Sequence, residues 1–362
     1  MVRPASTWWM AMVAGLAILA GTAPAIAHKG IRIGNATPFA TLAPDVKFPE
    51  GIAADAHGHI YVSTFTFPPD SSFIVKLGHG GNELQRTSPL GVPLLGLAFN
   101  ADGDLFAADF GNGRILKIAD GDLSNAPVVY AMLPCCDYFP EFPPPFAKGT
   151  ASPNALLFDG DGSLLVSDSF QGEIFRVPNG GCPISTWCGS SVAKDKKLAT
   201  AGFPPFGANG LALRGGVLYA ANTGNDTILR LPLSGGTATS VDDWAQSING
   251  ADGIAFDHSG RLWVCANQAD ELVVLKEIET VANGVPVKVG RVLFKVGDFE
   301  GLVGHSGVQR PKGFLFPASL VIVGHKVFVT NLALGLTPGE GDEPEENVDL
   351  FTVVKVEGIP GL

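Results

Sequence analysis

Residues 251–264 decide the fold, and they read ADGIAFDHSGRLWV. A short apolar segment, Ile254-Ala255-Phe256, runs into Asp257-His258-Ser259-Gly260, and Leu262-Trp263-Val264 follows almost at once. Asp and Gly favour tight hairpin turns, whereas aromatic and β-branched residues pack well on a pleated surface. The stretch therefore predicts two antiparallel strands joined by a tight turn.

Five more copies of this unit occur along the chain, which makes the repeat the main guide to the architecture. Every copy starts with a short apolar strand, turns at Gly or Asp, and resumes with a second strand. The six copies begin at Pro49-Glu50-Gly51-Ile52, Leu95-Gly96-Leu97-Ala98, Pro153-Asn154-Ala155-Leu156, Ala208-Asn209-Gly210-Leu211, Ala251-Asp252-Gly253-Ile254 and, less closely, Pro317-Ala318-Ser319-Leu320.

Repeats of roughly 40 to 60 residues with several short strands each are typical of radially stacked four-stranded sheets, because each sheet buries its faces only against its neighbours. We therefore predict an all-β fold, a six-bladed β-propeller of four-stranded antiparallel blades around a central channel. Such a ring usually closes with one blade built from both chain ends. The candidates are Phe39-Ala40-Thr41-Leu42 and residues 350–354.

The first 27 residues are predicted to be a secretory signal peptide. They contain Arg3, an apolar stretch from Trp8 to Ala20, and the small-x-small sequence Ala25-Ile26-Ala27. An anchor helix is the alternative, but this apolar stretch is shorter than the roughly 20 residues that a membrane span needs. We therefore expect a secreted or periplasmic protein with one propeller domain over residues 28–362 and no span after cleavage.

The charge balance excludes one class of partner. The chain has 24 Lys and Arg against 35 Asp and Glu, a net charge of −11, and the leader contributes only the positive Arg3. A chain this acidic is a poor ligand for a phosphate backbone, so nucleic-acid binding is not expected. Composition and repeat leave the oligomeric state open.

The five cysteines agree with an oxidising compartment. Four of them lie in irregular segments where disulfides can join loops, and their pairing is left open by the sequence: Cys135, Cys136, Cys182 and Cys188. Cys265 follows Leu262-Trp263-Val264 in a strand pattern, where a buried free thiol is expected.

The residue that immediately precedes the first strand of each unit often carries a polar side chain that a strand does not need. From the first copy to the sixth the residues at this position are Glu50, Leu95, Asn154, Asn209, Asp252 and Ala318, and we call them the ring residues. The first strand of each propeller blade is the innermost, so equivalent residues at its start should converge on the axis. Two carboxylates and two amides at one point would repel and lack solvation unless a cation lay among them.

Oxygen-only ligands suit a hard divalent cation. We predict calcium at Glu50, Asn154, Asn209 and Asp252, since four protein oxygens leave two to four of its six to eight positions for water or substrate. Zinc, manganese and magnesium are alternatives. Asn and Asp before a strand also cap turns, which is the competing explanation, although it does not account for Glu50.

Four motifs at the ring positions resemble one family of propellers. They are Pro49-Glu50-Gly51, Asn154 before Ala155-Leu156-Leu157-Phe158-Asp159, Asn209-Gly210-Leu211, and Asp252-Gly253-Ile254-Ala255-Phe256-Asp257. This ordered set resembles the senescence-marker-protein and gluconolactonase-like propellers, with the related diisopropylfluorophosphatases and paraoxonase-like lactonases, over nearly all of the chain after residue 27. The resemblance implies a six-bladed fold, a divalent metal on the four polar ring residues, and hydrolysis of lactones or related esters.

One departure from the family concerns the substrate. Members that act on sugar lactones typically have an arginine two residues before the first asparagine, where this chain has Ser152. Specificity for a sugar lactone is therefore not expected.

The expected chemistry centres on Asp252. A central cation with open positions can polarise a carbonyl oxygen and stabilise an oxyanion. Asp252 is the predicted base, using one oxygen for the metal and the other to take a proton from water, and direct nucleophilic attack is its alternative role. Glu50, Asn154 and Asn209 are expected to be ligands only.

Two long loops rich in Pro and Phe, residues 135–149 and 182–207, are expected to line the entrance. The predicted lining residues are Phe139, Phe142, Phe146, Phe203 and Phe206. Equally, these aromatic side chains could simply pack the loops onto the blades. His305, in a loop that leads into the sixth repeat, is a further candidate as a proton carrier.

These observations predict an exported, metal-dependent hydrolase of small-molecule lactones or esters. A non-enzymatic propeller that binds a partner and uses calcium structurally is the alternative. A lyase or synthase on the same scaffold is a third possibility, because one fold hosts many chemistries.

Overall fold

The computed structural model of the protein describes residues 34–66, 72–142, 149–183, 185–200, 202–337 and 343–362. The predicted leader lies in residues 1–33, outside this range. The described residues form six antiparallel blades and almost no helix, so the predicted propeller is confirmed. No helix in the described ranges is both long and apolar enough to cross a membrane.

The first three blades follow one another along the chain, each with its innermost strand first. After strand β1 (Asn35–Thr41), which belongs to blade 6, blade 1 contains β2 (Pro49–Ala54), β3 (Ile60–Thr64), β4 (Ile74–Leu77) and β5 (Glu83–Arg86). Blade 2 contains β6 (Leu94–Phe99), β7 (Leu105–Asp109), β8 (Arg114–Ile118) and β9 (Val128–Met132). Blade 3 contains β10 (Pro153–Phe158), β11 (Leu164–Asp168), β12 (Glu173–Val177) and β13 (Ser190–Lys194).

The last three blades repeat this order with additions. Blade 4 contains β14 (Ala208–Arg214), β15 (Val217–Asn222), β16 (Thr227–Ser234) and β18 (Asp242–Gln246), with the short β17 (Thr237–Ala238) also paired to β16. Blade 5 contains β19 (Ala251–Phe256), β20 (Leu262–Ala266), β21 (Glu271–Ala282) and β22 (Val285–Val296). A separate hairpin of β23 (Phe299–His305) and β24 (Val308–Gly313) precedes blade 6, which contains β25 (Pro317–Val323), β26 (Lys326–Asn331) and β27 (Thr352–Glu357). Short 3₁₀ turns occupy Ala119–Gly121, Asn267–Ala269 and Pro344–Asn347.

Blade 6 joins the two ends of the chain. Its sheet has the order β25-β26-β27-β1, and β1 pairs with β27 so that Ala40 lies opposite Val353 and Thr41 opposite Thr352. The strands predicted to close the ring, near Phe39 and Leu350, are therefore confirmed as neighbours. Their pairing makes the outermost strand of the last blade come from the start of the chain.

The hairpin turns between the first two strands follow the chemistry expected from sequence. In blades 1, 2, 3 and 5 an Asp or Asn accepts a hydrogen bond from a glycine three residues later, and that glycine has a positive φ. In blade 5 the Gly260 N–H donates to the Asp257 carbonyl at 2.9 Å. Asp or Asn followed by a left-handed glycine closes such turns without strain.

Every inner strand has the same irregularity at its start. In blade 1 the pairing of β2 with β3 shifts between Pro49 and Ile52, so that Glu50 lies in a β-bulge. The equivalent shift occurs in the other five blades. Each ring residue is thus the second residue of its inner strand. The sequence had placed it just before the strand, because regular pairing resumes only beyond the bulge.

The blades pack through apolar clusters that lie between neighbouring sheets. Trp263 in β20 is fully buried and its indole N–H donates to Asp257 at 2.9 Å. The inner strands approach closely enough that a side chain on Gly51 would collide with the Leu95 carbonyl, and one on Gly210 with the Asp252 carbonyl. In blades 1 and 4, glycine after the ring residue therefore permits the close approach of the neighbouring inner strand.

All four loop cysteines are paired, Cys135 with Cys136 and Cys182 with Cys188. Cys265 is free and buried in β20, as predicted. Burial raises the pKa of its thiol well above the ordinary value, and the carboxylates of Asp252 and Glu50 raise it further. The thiol therefore stays protonated at neutral pH and is a poor nucleophile.

Candidate functional site

The four polar ring residues lie at equivalent places in blades 1, 3, 4 and 5. Each is the second residue of an inner strand, within its bulge, and bulges commonly redirect a side chain at a functional site. Glu50, Asn154, Asn209 and Asp252 are all at most 6% exposed. The inner strands meet in circular order around the ring. The structure thus buries two carboxylates and two amides at corresponding points of the four blades.

Glu50 and Asp252 interact although 202 positions separate them in the sequence. Burial raises the pKa of Glu50 well above its ordinary value, and the nearby Asp252 carboxylate raises it further. Burial also raises the pKa of Asp252 to about 7, although hydrogen bonds from Asn267 and Asn209 lower it. Two such carboxylates cannot both be ionised at neutral pH without a compensating positive charge.

The two ring asparagines are held by hydroxyl groups. The Asn154 side-chain N–H donates to Ser169 Oγ at 2.9 Å, and that of Asn209 donates to Thr223 Oγ1 at 3.0 Å. Each hydroxyl comes from the residue that follows the second strand of the same blade.

Asn267 occupies the matching place in blade 5, and sequence analysis did not identify it. It follows β20, is 2% exposed, and donates from Nδ2 to Asp252 Oδ2 at 3.1 Å. Aligning the repeats on their second strands as well as their first would have placed Asn267 level with Ser169 and Thr223.

The residues fit a hard divalent cation. Glu50 Oε2 and Asp252 Oδ1 are buried and receive no hydrogen bond from any described residue. Buried acceptors of this kind are costly unless a positive charge satisfies them. Within the described ranges no three His, Cys, Asp or Glu side chains group as metal ligands. The ring supplies only two such residues, and amide oxygens would have to complete the set, as they do in calcium sites.

An aromatic cluster lies beside the apolar part of the ring. Leu95 packs in one cluster with Phe65, Phe110 and Phe170. The rings of Phe110 and Phe170 are 5.7 Å apart, and Phe206 lies 6.2 Å from the first and 5.6 Å from the second. Phe65 and Phe110 directly follow the second strands of blades 1 and 2, the same place that Asn267 has in blade 5. In the ring, Leu95 lies between Glu50 and Asn154, so the aromatic cluster lies next to the polar ring residues of blades 1 and 3.

Of the predicted lining residues, Phe206 lies in this aromatic cluster. Phe139 and Phe142 contact one another 6.5 Å apart, with Phe139 also under the Lys194 ammonium. Phe203 is 44% exposed, and Phe146 lies outside the described residues. His305 is the last residue of β23 and so lies in a hairpin rather than a loop, because residues 299–313 pair with each other.

Ser152 stands where sugar-lactone enzymes of the resembling family have arginine. It is fully buried, and its backbone N–H donates to Asp168 Oδ2 at 2.7 Å. Asp168 also accepts from the backbone N–H groups of Phe170 and Gln171, and from the Gln171 amide. Asp168 thus ties Ser152 to the loop that follows β11.

No protein-family model and no curated protein matches the chain. Solved structures do match. A luciferin-regenerating enzyme superimposes with a TM-score of 0.60 at 13% identity, covering 90% of this chain and 96% of that one. A gluconolactonase from Xanthomonas campestris gives a TM-score of 0.54 at 15% identity, with 91% and 99% covered.

A third structure is similar to the same extent. Regucalcin from Agrobacterium tumefaciens, described as a calcium-binding protein, gives a TM-score of 0.55 at 15% identity and covers 89% of this chain and 96% of its own. The resemblance predicted from the ring motifs is therefore confirmed for the fold. Identities this low carry the fold and not the activity.

Proposed function

We propose that this protein is a metal-dependent hydrolase that cleaves a small-molecule lactone or ester at the ring residues. One observation carries the proposal. Glu50 and Asp252 interact in a buried site, and each keeps an oxygen without a hydrogen-bond donor among the described residues. With Asn154 and Asn209 they form an oxygen set that favours calcium, and zinc, manganese and magnesium are the alternatives.

A divalent cation bound there would polarise the substrate carbonyl and stabilise the charge that develops on its oxygen. Glu50, Asn154 and Asn209 serve as ligands in this proposal. Asp252 would hold the cation with Oδ1. Its Oδ2, which keeps a lone pair beside the Asn267 hydrogen bond, would take the proton from the attacking water. That proton passes to the leaving oxygen when the acyl C–O bond breaks. Direct attack by the carboxylate is the alternative role.

The surroundings of the ring favour an apolar substrate. Phe65, Phe110, Phe170 and Phe206 pack together beside Leu95, and apolar, aromatic surroundings with a few polar groups are typical of small-molecule sites. Ser152 cannot replace the arginine that sugar-lactone enzymes of the resembling family use. The gluconolactonase among the structural neighbours supports the lactone class, and the calcium-binding regucalcin supports the cation.

The proposed location is the periplasm or the cell exterior. Two disulfides in loops are compatible with an oxidising compartment. The leader of residues 1–27 would be removed, leaving His28 as the first residue of a single propeller domain over 28–362. Mass spectrometry of the protein from its native host tests this directly, since an intact mass that retains residues 1–27 would contradict cleavage.

The test of the activity uses a panel of aryl esters and lactones with metal analysis of each protein. The parent should hold close to one divalent ion and hydrolyse at least one panel member, with loss of activity in EDTA. Asp252→Asn should lower turnover by at least about a hundredfold because the base is removed. Glu50→Gln should weaken calcium binding by at least about tenfold because a charged ligand is lost.

Leu95→Met is the matched control, because Leu95 occupies the same ring position without an oxygen. It should leave calcium affinity unchanged. Equal calcium affinity in the parent and in Glu50→Gln would contradict the cation site.

A non-enzymatic propeller with a structural calcium ion is the second candidate. The observation in its favour is that all four polar ring residues are more than nine-tenths buried. Retained calcium in both the parent and Asp252→Asn, without turnover of any panel member, would establish this alternative in place of the hydrolase.

A further inference from the structure

The hydrogen bonds of the two ring asparagines continue beyond their hydroxyl partners. Ser169 Oγ accepts from Asn154 and donates to the Ala208 carbonyl of the next blade at 3.0 Å. Thr223 Oγ1 accepts from Asn209 and donates to the Ala251 carbonyl of the next blade at 2.8 Å. Both hydroxyl residues are 1% exposed, so bulk water does not compete at either of them.

These chains of hydrogen bonds have only one possible direction. A hydroxyl has one hydrogen, and a backbone carbonyl can only accept, so the hydrogen of Thr223 is committed to Ala251. The hydroxyl oxygen can then only accept from Asn209. A reversed amide would set two oxygens against each other, at the cost of an unsatisfied buried group. The side-chain nitrogen of Asn209 is therefore fixed beside Thr223, where it also reaches Asp252, and the oxygen takes the other position of the amide. Ser169 fixes Asn154 in the same way.

Asn267 completes the pattern with opposite chemistry. When it is ionised, Asp252 only accepts hydrogen bonds, and its partner at the equivalent place is a donor. Asn267 anchors Asp252 Oδ2 and leaves Oδ1 without a donor among the described residues. An acceptor thus lies beside each ring amide, and a donor lies beside the carboxylate. The three partner residues directly follow the second strands of blades 3, 4 and 5.

We propose that Ser169, Thr223 and Asn267 are positioning residues that determine which atoms of Asn154, Asn209 and Asp252 face the channel, and that they thereby set the affinity for the cation. This inference rests on the cation site of the proposed function. Residues behind metal ligands typically change metal affinity by about 10- to 100-fold when they are removed, because the ligand loses its orientation.

The experiment measures calcium affinity by isothermal titration calorimetry in Thr223→Val and Thr223→Ser. Valine has the shape of threonine without the hydroxyl, so the Asn209 amide can reverse and present N–H groups to the cation. We expect calcium affinity to fall about 10- to 100-fold in Thr223→Val. The serine variant keeps the hydroxyl and should bind within about twofold of the parent, since the same two hydrogen bonds can form.

Thr330→Val is the matched control. Thr330 is also fully buried, and its hydroxyl also donates to a neighbouring blade, at the Glu50 carbonyl 2.7 Å away, but it contacts no ring amide. It should show a comparable loss of thermal stability and retain calcium affinity. Should Thr223→Val fail to fold, Ser169→Ala tests the same claim in blade 3, with the same expected loss of affinity.

The outcomes separate the two claims. Calcium binding by the parent with equal affinity in folded Thr223→Val overturns the positioning role alone, as does a Thr223→Ser variant that binds as weakly as the valine variant. An affinity loss in Thr330→Val equal to that in Thr223→Val also overturns it. A parent that binds no divalent cation overturns both the positioning role and the proposed function.

Discussion

Asp270 is a partly buried acid between β20 and β21 that has a structural task. Its carboxylate accepts the Phe316 backbone N–H at 2.7 Å, just before blade 6 begins. Burial raises the pKa of Asp270 to about 6, the Phe316 hydrogen bond lowers it, and the carboxylates of Asp298 and Glu271 raise it further. The folded protein therefore holds a proton at Asp270 over a range of pH in which the unfolded chain has lost it.

The Asp270→Asn variant should be more stable than the parent at pH 8. Because the folded pKa lies above the unfolded value of 3.8, ionisation of Asp270 costs stability as pH rises from about 4 to 6 and beyond. Asparagine keeps an acceptor for Phe316 without the charge. We expect a gain of about 2 kcal/mol in the free energy of unfolding at pH 8 and little change near pH 4.

Urea denaturation at the two pH values measures this effect. Asp102→Asn, at an exposed position, is the control and should show no such difference between the two pH values. The same pH dependence in Asp270→Asn as in the parent would contradict the assignment.

At the level of single residues, sequence identified those side chains that depart from a strand pattern. Glu50 and Asp252 stood out because they place carboxylates at a repeat position where a strand does not require a particular residue. Phe65 and Phe110 did not stand out, since an aromatic residue at a strand end resembles ordinary core. Phe139 and Phe203 were predicted to line the site because each lies in a long loop rich in Pro and Phe. The structure pairs Phe139 with Phe142 and leaves Phe203 44% exposed, and their role as lining residues stays a prediction.

The inner strands depend on the small residue that follows each ring residue. A Cβ on Gly210 would collide with the Asp252 backbone carbonyl of blade 5. Gly210→Ala should therefore push two inner strands apart and lower the free energy of unfolding by about 1 to 3 kcal/mol. The control is Gly160→Ala, since a Cβ there has no neighbour within 4 Å. Thermal denaturation of both variants checks this, and equal melting temperatures would contradict the close approach.

At the level of elements, sequence predicted the strands and turns well but missed the bulges. Alternating apolar residues and Asp-Gly turns are local signals, so all six inner strands were located. A bulge depends on how one strand pairs with the next, and nothing within residues 49–52 reveals it alone. Two hairpins were likewise not predicted, because they interrupt the repeat. They are the long β21–β22 pair and the separate β23–β24 pair.

The whole ring is closed by the pairing of β1 with β27. A protein that begins at residue 43 lacks β1 and exposes the edge of β27 together with apolar residues such as Val353. We expect this protein to melt at least about 5 °C below one that begins at residue 34, because a blade loses its outer strand and its share of buried surface. Differential scanning calorimetry compares the two. Identical melting temperatures would mean that the closing strand contributes nothing to stability.

The bulge that all six inner strands share has a consequence for how this centre can change. The same β-bulge occurs in all six blades, whichever residue it contains. The backbone around Leu95 and Ala318 is therefore like the backbone around the acidic and amide ring residues. The ring therefore has six positions with equivalent backbones, and four of them carry side chains with oxygen atoms. A substitution at one ring position can change the charge and chemistry of the centre while the surrounding strands stay intact. In this way one fold can acquire a new selectivity.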